Sequence, residues 1–245
     1  MKSPRPIHWI IPAILTFASL LVSCRVEQRI DLNPDLSGRW ELEGVSMPFA
    51  ALALEDLAML GGYESAAIFF DEAVNATRKN LDARGDIEFH DIQRTGDVDW
   101  MAIIGFTDIE SLLGSTEDDG ITELIRYGDE VSFTLTFNRD NASHLETLVP
   151  LLTDPAFSLF NPASTEGIDE ETYISQILGF TFGEENIPAI RAAQIGLDLY
   201  LPGPVVEVTG GRRTGERSVR FVTPFTRFLV PEDEINWSVR WRTIP

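Results

Sequence analysis

Cysteine is almost absent from this chain: Cys24 is the only one in 245 residues. No disulfide can form within it, and a multi-cysteine metal site is excluded. Histidine is nearly as scarce. His90 and His144 are the only two beyond the first few residues, and neither has another His or Cys at ligand spacing. H-E-x-x-H, G-x-S-x-G and G-x-x-x-x-G-K-[ST] are all missing, which removes zincin, nucleophile-elbow and P-loop chemistry. Basic residues are few, with 19 Lys plus Arg against 39 Asp plus Glu. That balance lacks the positive footprint that nucleic-acid binding requires. These absences predict a protein that is not an enzyme of any conventional nucleophile, metal or nucleotide type, and one that calls for no cofactor. A carboxylate-only glycosidase stays open, because it needs two acids and no motif.

What is present begins with an address. Leu21-Val22-Ser23-Cys24 has the form of a bacterial lipobox: an aliphatic residue, two small or tolerant ones, then the cysteine that takes the lipid. Before it, Lys2 and Arg5 form a cationic start and Ile7 to Val22 an apolar run of 16 residues, interrupted by His8 and Pro12. The run is shorter than the ~20 residues of a spanning helix and has the three-part layout of an export signal. Residues 1–23 are therefore expected to be a lipoprotein signal peptide cut between Ser23 and Cys24, with residues 24–245 forming one extracytoplasmic domain. The leader holds two of the 19 basic residues and none of the acids, so the rest is net −22. Such a surface is repelled by anionic headgroups within about a Debye length of ~8 Å. The membrane is expected to be the partner, reached through acyl chains. Arg25, rather than an aspartate, follows the cysteine, which favours the outer over the inner membrane.

The chain after Cys24 alternates between strand and helix blocks. Val26, Gln28, Ile30 and Leu32 alternate with charged residues, Asn33-Pro34-Asp35 turns, and Trp40 and Leu42 start a return strand. Phe49 to Leu60 and Glu64 to about Leu81 have helical spacing, the first ending at Gly61-Gly62. Strands resume at Ile87 and Val98, and a short helix is expected over Asp108 to Leu113. Val131, Phe133, Leu135 and Phe137 face inward in the second arm of a hairpin across Gly128-Asp129. Residues 141–194 read as helical pieces broken by Pro150, Pro155 and Pro162. The last fifty residues return to strands, closed by Trp237, Val239 and Trp241. Hairpins with segregated helices predict an α+β fold: a largely antiparallel curved sheet with two helical blocks covering one face.

The lipobox, the immediate hairpin through Asn33-Pro34-Asp35-Leu36-Ser37-Gly38, and the late stretch Leu201-Pro202-Gly203-Pro204-Val205-Val206-Glu207-Val208-Thr209-Gly210-Gly211 resemble the LppM-like bacterial lipoproteins. In that family a Pro-Gly-x-Val strand and a glycine turn precede the closing strands. The resemblance implies a lipid-anchored α+β envelope domain, with a fold likened to lipid-binding proteins and no established catalysis. Members can carry a C-terminal membrane segment; here the sequence reaches Pro245 directly after a strand.

Candidate site residues are of three kinds. Phe69, Phe70, Phe157, Phe160 and Phe180 gather aromatics in the helical blocks, and Phe133 and Phe137 line the sheet's inner face. Together they predict a cavity between the helices and the sheet for an apolar or lipid-like ligand; the alternative is ordinary core in a structural or protein-interaction module. Seven arginines after residue 204, among them Arg220, Arg240 and Arg242, face five acids there. They read either as an anion patch or as cross-strand partners of Glu27, Glu41, Glu43 and Glu207. Asp31-x-Asn33-x-Asp35 begins like a calcium loop, but Leu36 stands where that loop needs glycine, and a hairpin turn is the better reading.

Overall fold

The computed structural model describes residues 23–46, 48–60, 62–96, 99–109, 121–143 and 161–243. β1 (Ser23–Leu32) and β2 (Gly38–Ser46) form the expected first hairpin. Leu36 turns it with φ of 67°, a left-handed conformation that costs a residue with a Cβ about 1–2 kcal/mol. Its side chain is buried and its carbonyl accepts the Ile109 N–H at 3.0 Å. Burial offsets the backbone strain, so a leucine holds a position where glycine would be expected.

α1 (Pro48–Leu60), α2 (Ala66–Asp82), β3 (Ile87–Arg94), β4 (Trp100–Phe106), β5 (Thr122–Tyr127) and β6 (Glu130–Phe137) follow. From residue 161 come a short 3₁₀ turn, Pro162–Thr165, and a helical stretch over 170–182 (α3). The stretch widens to i→i+5 spacing across Tyr173–Leu178. α4 (Ile187–Ala192), β7 (Gln194–Tyr200), β8 (Val205–Thr209), β9 (Gly211–Gly215), β10 (Ser218–Pro224), α5 (Phe225–Leu229) and β11 (Ile235–Arg242) complete the chain. Two of these, β9 and α5, have no counterpart in the sequence reading. The expected helix over 108–113 and the helical pieces over 144–160 lie largely outside the described residues.

The fold is α+β, with its strands divided between two sheets rather than gathered in one. The larger runs β3-β4-β2-β1-β7-β10-β9 and the smaller β5-β6-β11-β8. Pro202 and Pro204 explain the division. Proline cannot donate to a ladder, so β7 stops at Tyr200 and the chain re-enters as β8 in the second sheet. Every neighbouring pair is antiparallel except β1 and β7, which are joined by the long crossover that a parallel pair needs.

The sheets meet through aromatic side chains. Trp237 of β11 stacks on Phe221 of β10 at 5.4 Å and 18°, and Phe228 of α5 packs against both Trp237 and Phe137. Residues from both sheets and from α1, α2, α3 and α4 share one buried cluster. No described helix is long and apolar enough to cross a membrane.

The register fixes which end of the larger sheet is which. Ser23 pairs with Ser46, Gly44 with Trp100 and Trp100 with Arg94, so these residues mark the Cys24 end. α1 starts two residues after Ser46. α2 enters at the same end, because Asp71 in its second turn meets Arg94 at 3.3 Å. α1 therefore begins and finishes at the Cys24 end of the sheet.

Candidate functional site

Cys24 lies within β1, at an irregularity in the pairing with β2 between Ser23 and Arg25. No linker separates it from the central strand of the larger sheet. Anything attached to Cys24 would hold that end of the domain directly.

The predicted apolar wall is only partly assembled. Phe133 and Phe137 are buried on the inner face of the smaller sheet. Between the sheets, Ile30, Leu199, Leu124, Phe133 and Trp241 line an apolar seam of only about 10 Å³, at the limit for a single water. Phe137 is occupied by its stack on Phe228. Phe180 does not join them: it is 89% exposed on α3. Phe69 and Phe70 fall in α2 with side chains outside the description, and Phe157 and Phe160 lie outside the described residues.

A larger concavity, about 530 Å³ and open to solvent, lies on the opposite face of the smaller sheet. Tyr127, Ser132, Glu207, Thr209, Ser238 and Arg240 line it. Alternation along the strands sends these side chains outward while Val131, Phe133, Val239 and Trp241 go inward. Thr134 Oγ1 donates to Ser238 Oγ at 3.3 Å, and Tyr127 stands 59% exposed at the hairpin end. Arg240 Nη2 donates to Glu207 at 2.7 Å and Nη1 lies 3.4 Å from Glu130. The charge is thus balanced inside the groove, while Arg240 Nε meets no acceptor among the described residues. The outward, polar half of the β6 and β11 alternation was legible in the sequence. Its convergence on one groove depended on a pairing that sequence alone does not supply.

The Tyr127 end of the groove lies away from Cys24: Tyr127 pairs with Glu130, Glu130 with Arg242, and the Arg242 N–H donates to the Pro204 carbonyl. Val205 of β8 donates to the Glu216 carbonyl at 2.9 Å, next to Ser218. Ser218 pairs with Tyr200 and Tyr200 with Asp31, about 23 Å along β1 from Cys24.

Three of the seven late arginines are engaged by carboxylates. Arg220 donates to both oxygens of Glu27 at 2.8 Å and also to Asp198. Burial works to lower its pKa, but Glu27 and Asp198 outweigh that and raise it above the ordinary value. Arg242 lies 3.6 Å from Asp129 and 3.7 Å from Glu130. Cross-strand pairing, not an anion patch, accounts for Arg220, Arg240 and Arg242.

The remaining motifs are structural. In the calcium-like loop, Asp31 turns to Arg29, while Asn33 and Asp35 both bond Ser37. All three side chains are thus engaged within the hairpin itself. His90 Nε2 meets Asp82 Oδ1 of α2 at 2.9 Å rather than its neighbour Asp91. Among the described residues no group of three or more His, Cys, Asp or Glu could hold a metal.

No protein-family model and no curated protein matches the chain. Among solved structures it is similar to the folded domain of Mycobacterium tuberculosis LppM. Identity is 14% and the TM-score 0.40, over 91% of this chain and 93% of that one. The match is structural and distant, and it carries nothing about chemistry.

Proposed function

We propose that this is a lipid-anchored, extracytoplasmic envelope protein, cut between Ser23 and Cys24 and held in the membrane by acyl chains on Cys24. The lipobox at the start of the central strand carries the reading. Two or more chains anchor stably at about 0.8 kcal/mol per buried CH₂. Arg25 in the position after the cysteine favours the outer membrane. In a bacterial host, Cys24→Ala is expected to remain a full-length precursor. Normal cleavage of that variant to a soluble product would refute the anchor.

We further propose that the domain works by binding rather than catalysis, through the groove of Tyr127, Ser132, Glu207, Thr209, Ser238 and Arg240. An internal apolar ligand would need a few hundred Å³, which the seam between the sheets does not supply among the described residues. The groove combines an exposed aromatic face, three hydroxyl-bearing side chains and a charge-balanced arginine. That chemistry suits a neutral, hydroxyl-rich ligand such as an envelope oligosaccharide. Its Tyr127 end, away from Cys24, would face the polymer side of the envelope. Detergent-solubilised full chain is expected to bind on an oligosaccharide array, with Tyr127→Ala and Arg240→Ala each losing the signal. No binding, or binding that survives Tyr127→Ala, would leave a structural or protein-interaction module as the better reading.

A further inference from the structure

The geometry points to a second membrane contact besides the acyl chains: the Cys24 end rests on the bilayer through an apolar face made by α1 and Phe180. This inference rests on the lipoprotein reading above and gives that anchor an orientation. α1 is a 13-residue helix, PFAALALEDLAML, whose two ends both lie at the Cys24 end of the larger sheet. It therefore lies across that end. Its protein side is settled: Ala58 is buried, and Glu55 Oε2 accepts the Ala66 N–H at 2.8 Å, capping α2.

Its other side exposes two large apolar side chains with one acid, Asp56, between them. Leu52 is 72% exposed and Met59 62%, and seven residues apart they share one helix face. Phe49, three residues before Leu52, meets Phe182 edge-on at 5.7 Å, which brings α3 alongside. Phe180, two residues from Phe182 and so on the side of α3 turned away from the Phe49 contact, is the most exposed large hydrophobic side chain described. α4 follows α3 and delivers the chain to Gln194, paired with Arg25 next to Cys24.

Cys24 in β1 with no linker keeps this face within reach of the bilayer, which is the occupant we assign. A short amphipathic helix lying in the interface plane buries its apolar face about 5–10 Å deep. Asp56, exposed between Leu52 and Met59, and the exposed pair Glu184 and Glu185 after α3 set the lipid preference. They suit zwitterionic headgroups and are repelled by anionic ones.

The test uses the full chain reconstituted into vesicles of phosphatidylcholine brominated on its acyl chains. Phe180→Trp and Tyr127→Trp each add one indole, and the unsubstituted protein supplies the baseline for the native tryptophans, four of the five once Trp9 leaves with the leader. The fluorescence added at position 180 is expected to be lost to bromine quenching, and that added at position 127 to be spared. Adding Leu52→Ser and Met59→Ser to Phe180→Trp should restore the signal, with an unchanged thermal melt showing an intact fold. Asp56→Asn should deepen the quenching, and anionic lipid should relieve it. The mass of the Cys24 peptide reads lipidation separately. Quenching of the Phe180→Trp indole without a lipid adduct upholds the contact and overturns the lipoprotein reading. An unquenched indole at that position overturns the contact, whether or not the adduct is found.

Discussion

The indole N–H of Trp237 donates to Thr223 Oγ1 at 3.1 Å, inside the contact between the two sheets. Both residues are buried, and Trp237 also stacks on Phe221, two residues before Thr223. One side chain therefore supplies apolar contact and a directional bond across the same boundary.

Thr223→Val keeps the shape and removes the acceptor. A buried N–H left without a partner costs about 1–3 kcal/mol. In a chain of this size each kcal/mol lowers Tm by about 2–4 °C. Thr223→Ser should recover most of the loss. A valine variant that melts with the wild type would show that water or another group already satisfies the indole.

Gly210 and Gly128 both have positive φ, 73° and 61°, but their surroundings differ. A Cβ on Gly210 would sit 1.9 Å from the Asn236 carbonyl oxygen, whereas one on Gly128 meets nothing within 4 Å. Gly128→Ala is expected to cost about 1 kcal/mol from conformation alone. Gly210→Ala adds a backbone clash that must part β11 from the turn, and should cost more than twice as much. Urea unfolding of the two variants separates strain from collision, and equal costs would mean that the turn yields freely.

Strand positions and the α+β class were legible because period-2 alternation survives in β1, β6, β7 and β11. Partition into two sheets was not, since alternation states which side is inward but not which sheet receives it. Two elements escaped for local reasons. β9 reads GRRTG and pairs only along β10, while α5 is five residues long and follows a proline. Leu36 shows the opposite limit: tertiary burial overrode the turn chemistry that its sequence position suggests. The lipobox needed no structure to be seen. The polar groove did, because its lining comes from β5, β6, β8 and β11, joined by a β6–β11 pairing that sets Thr134 against Ser238, 104 residues on.

Arg220 spans three strands of the larger sheet, from β10 over Asp198 on β7 to Glu27 on β1. All three side chains are largely covered, so Arg220→Ala leaves two carboxylates without their shared cation. The expected cost is about 2 kcal/mol, less than for a fully buried pair because water still reaches the site. Arg220→Lys keeps the charge without the planar fork and should recover only part of it. A double-mutant cycle with Glu27→Gln reads the coupling, and zero coupling would reduce the bridge to coincidence.

Asp35 and Asp169 make the acid limb of stability predictable. Asp35 accepts from the Ser37 hydroxyl at 2.7 Å and its N–H at 3.0 Å. Asp169 accepts from the Thr172 N–H at 2.7 Å and its hydroxyl at 2.8 Å, capping α3. For Asp35 the Ser37 hydroxyl, then the Ser37 N–H, and for Asp169 the Thr172 N–H, then its hydroxyl, hold the carboxyl below the ordinary 3.8. A depressed folded-state value means that each ionised group stabilises the fold fully above its unfolded value. That contribution disappears as pH falls through the folded value. Asp35→Asn and Asp169→Asn should each lower Tm at about pH 7, and the deficit should shrink as pH falls below about 4 and through the folded values. Scanning calorimetry across that range checks both. A deficit that stays constant with pH would assign the effect to lost shape rather than lost charge.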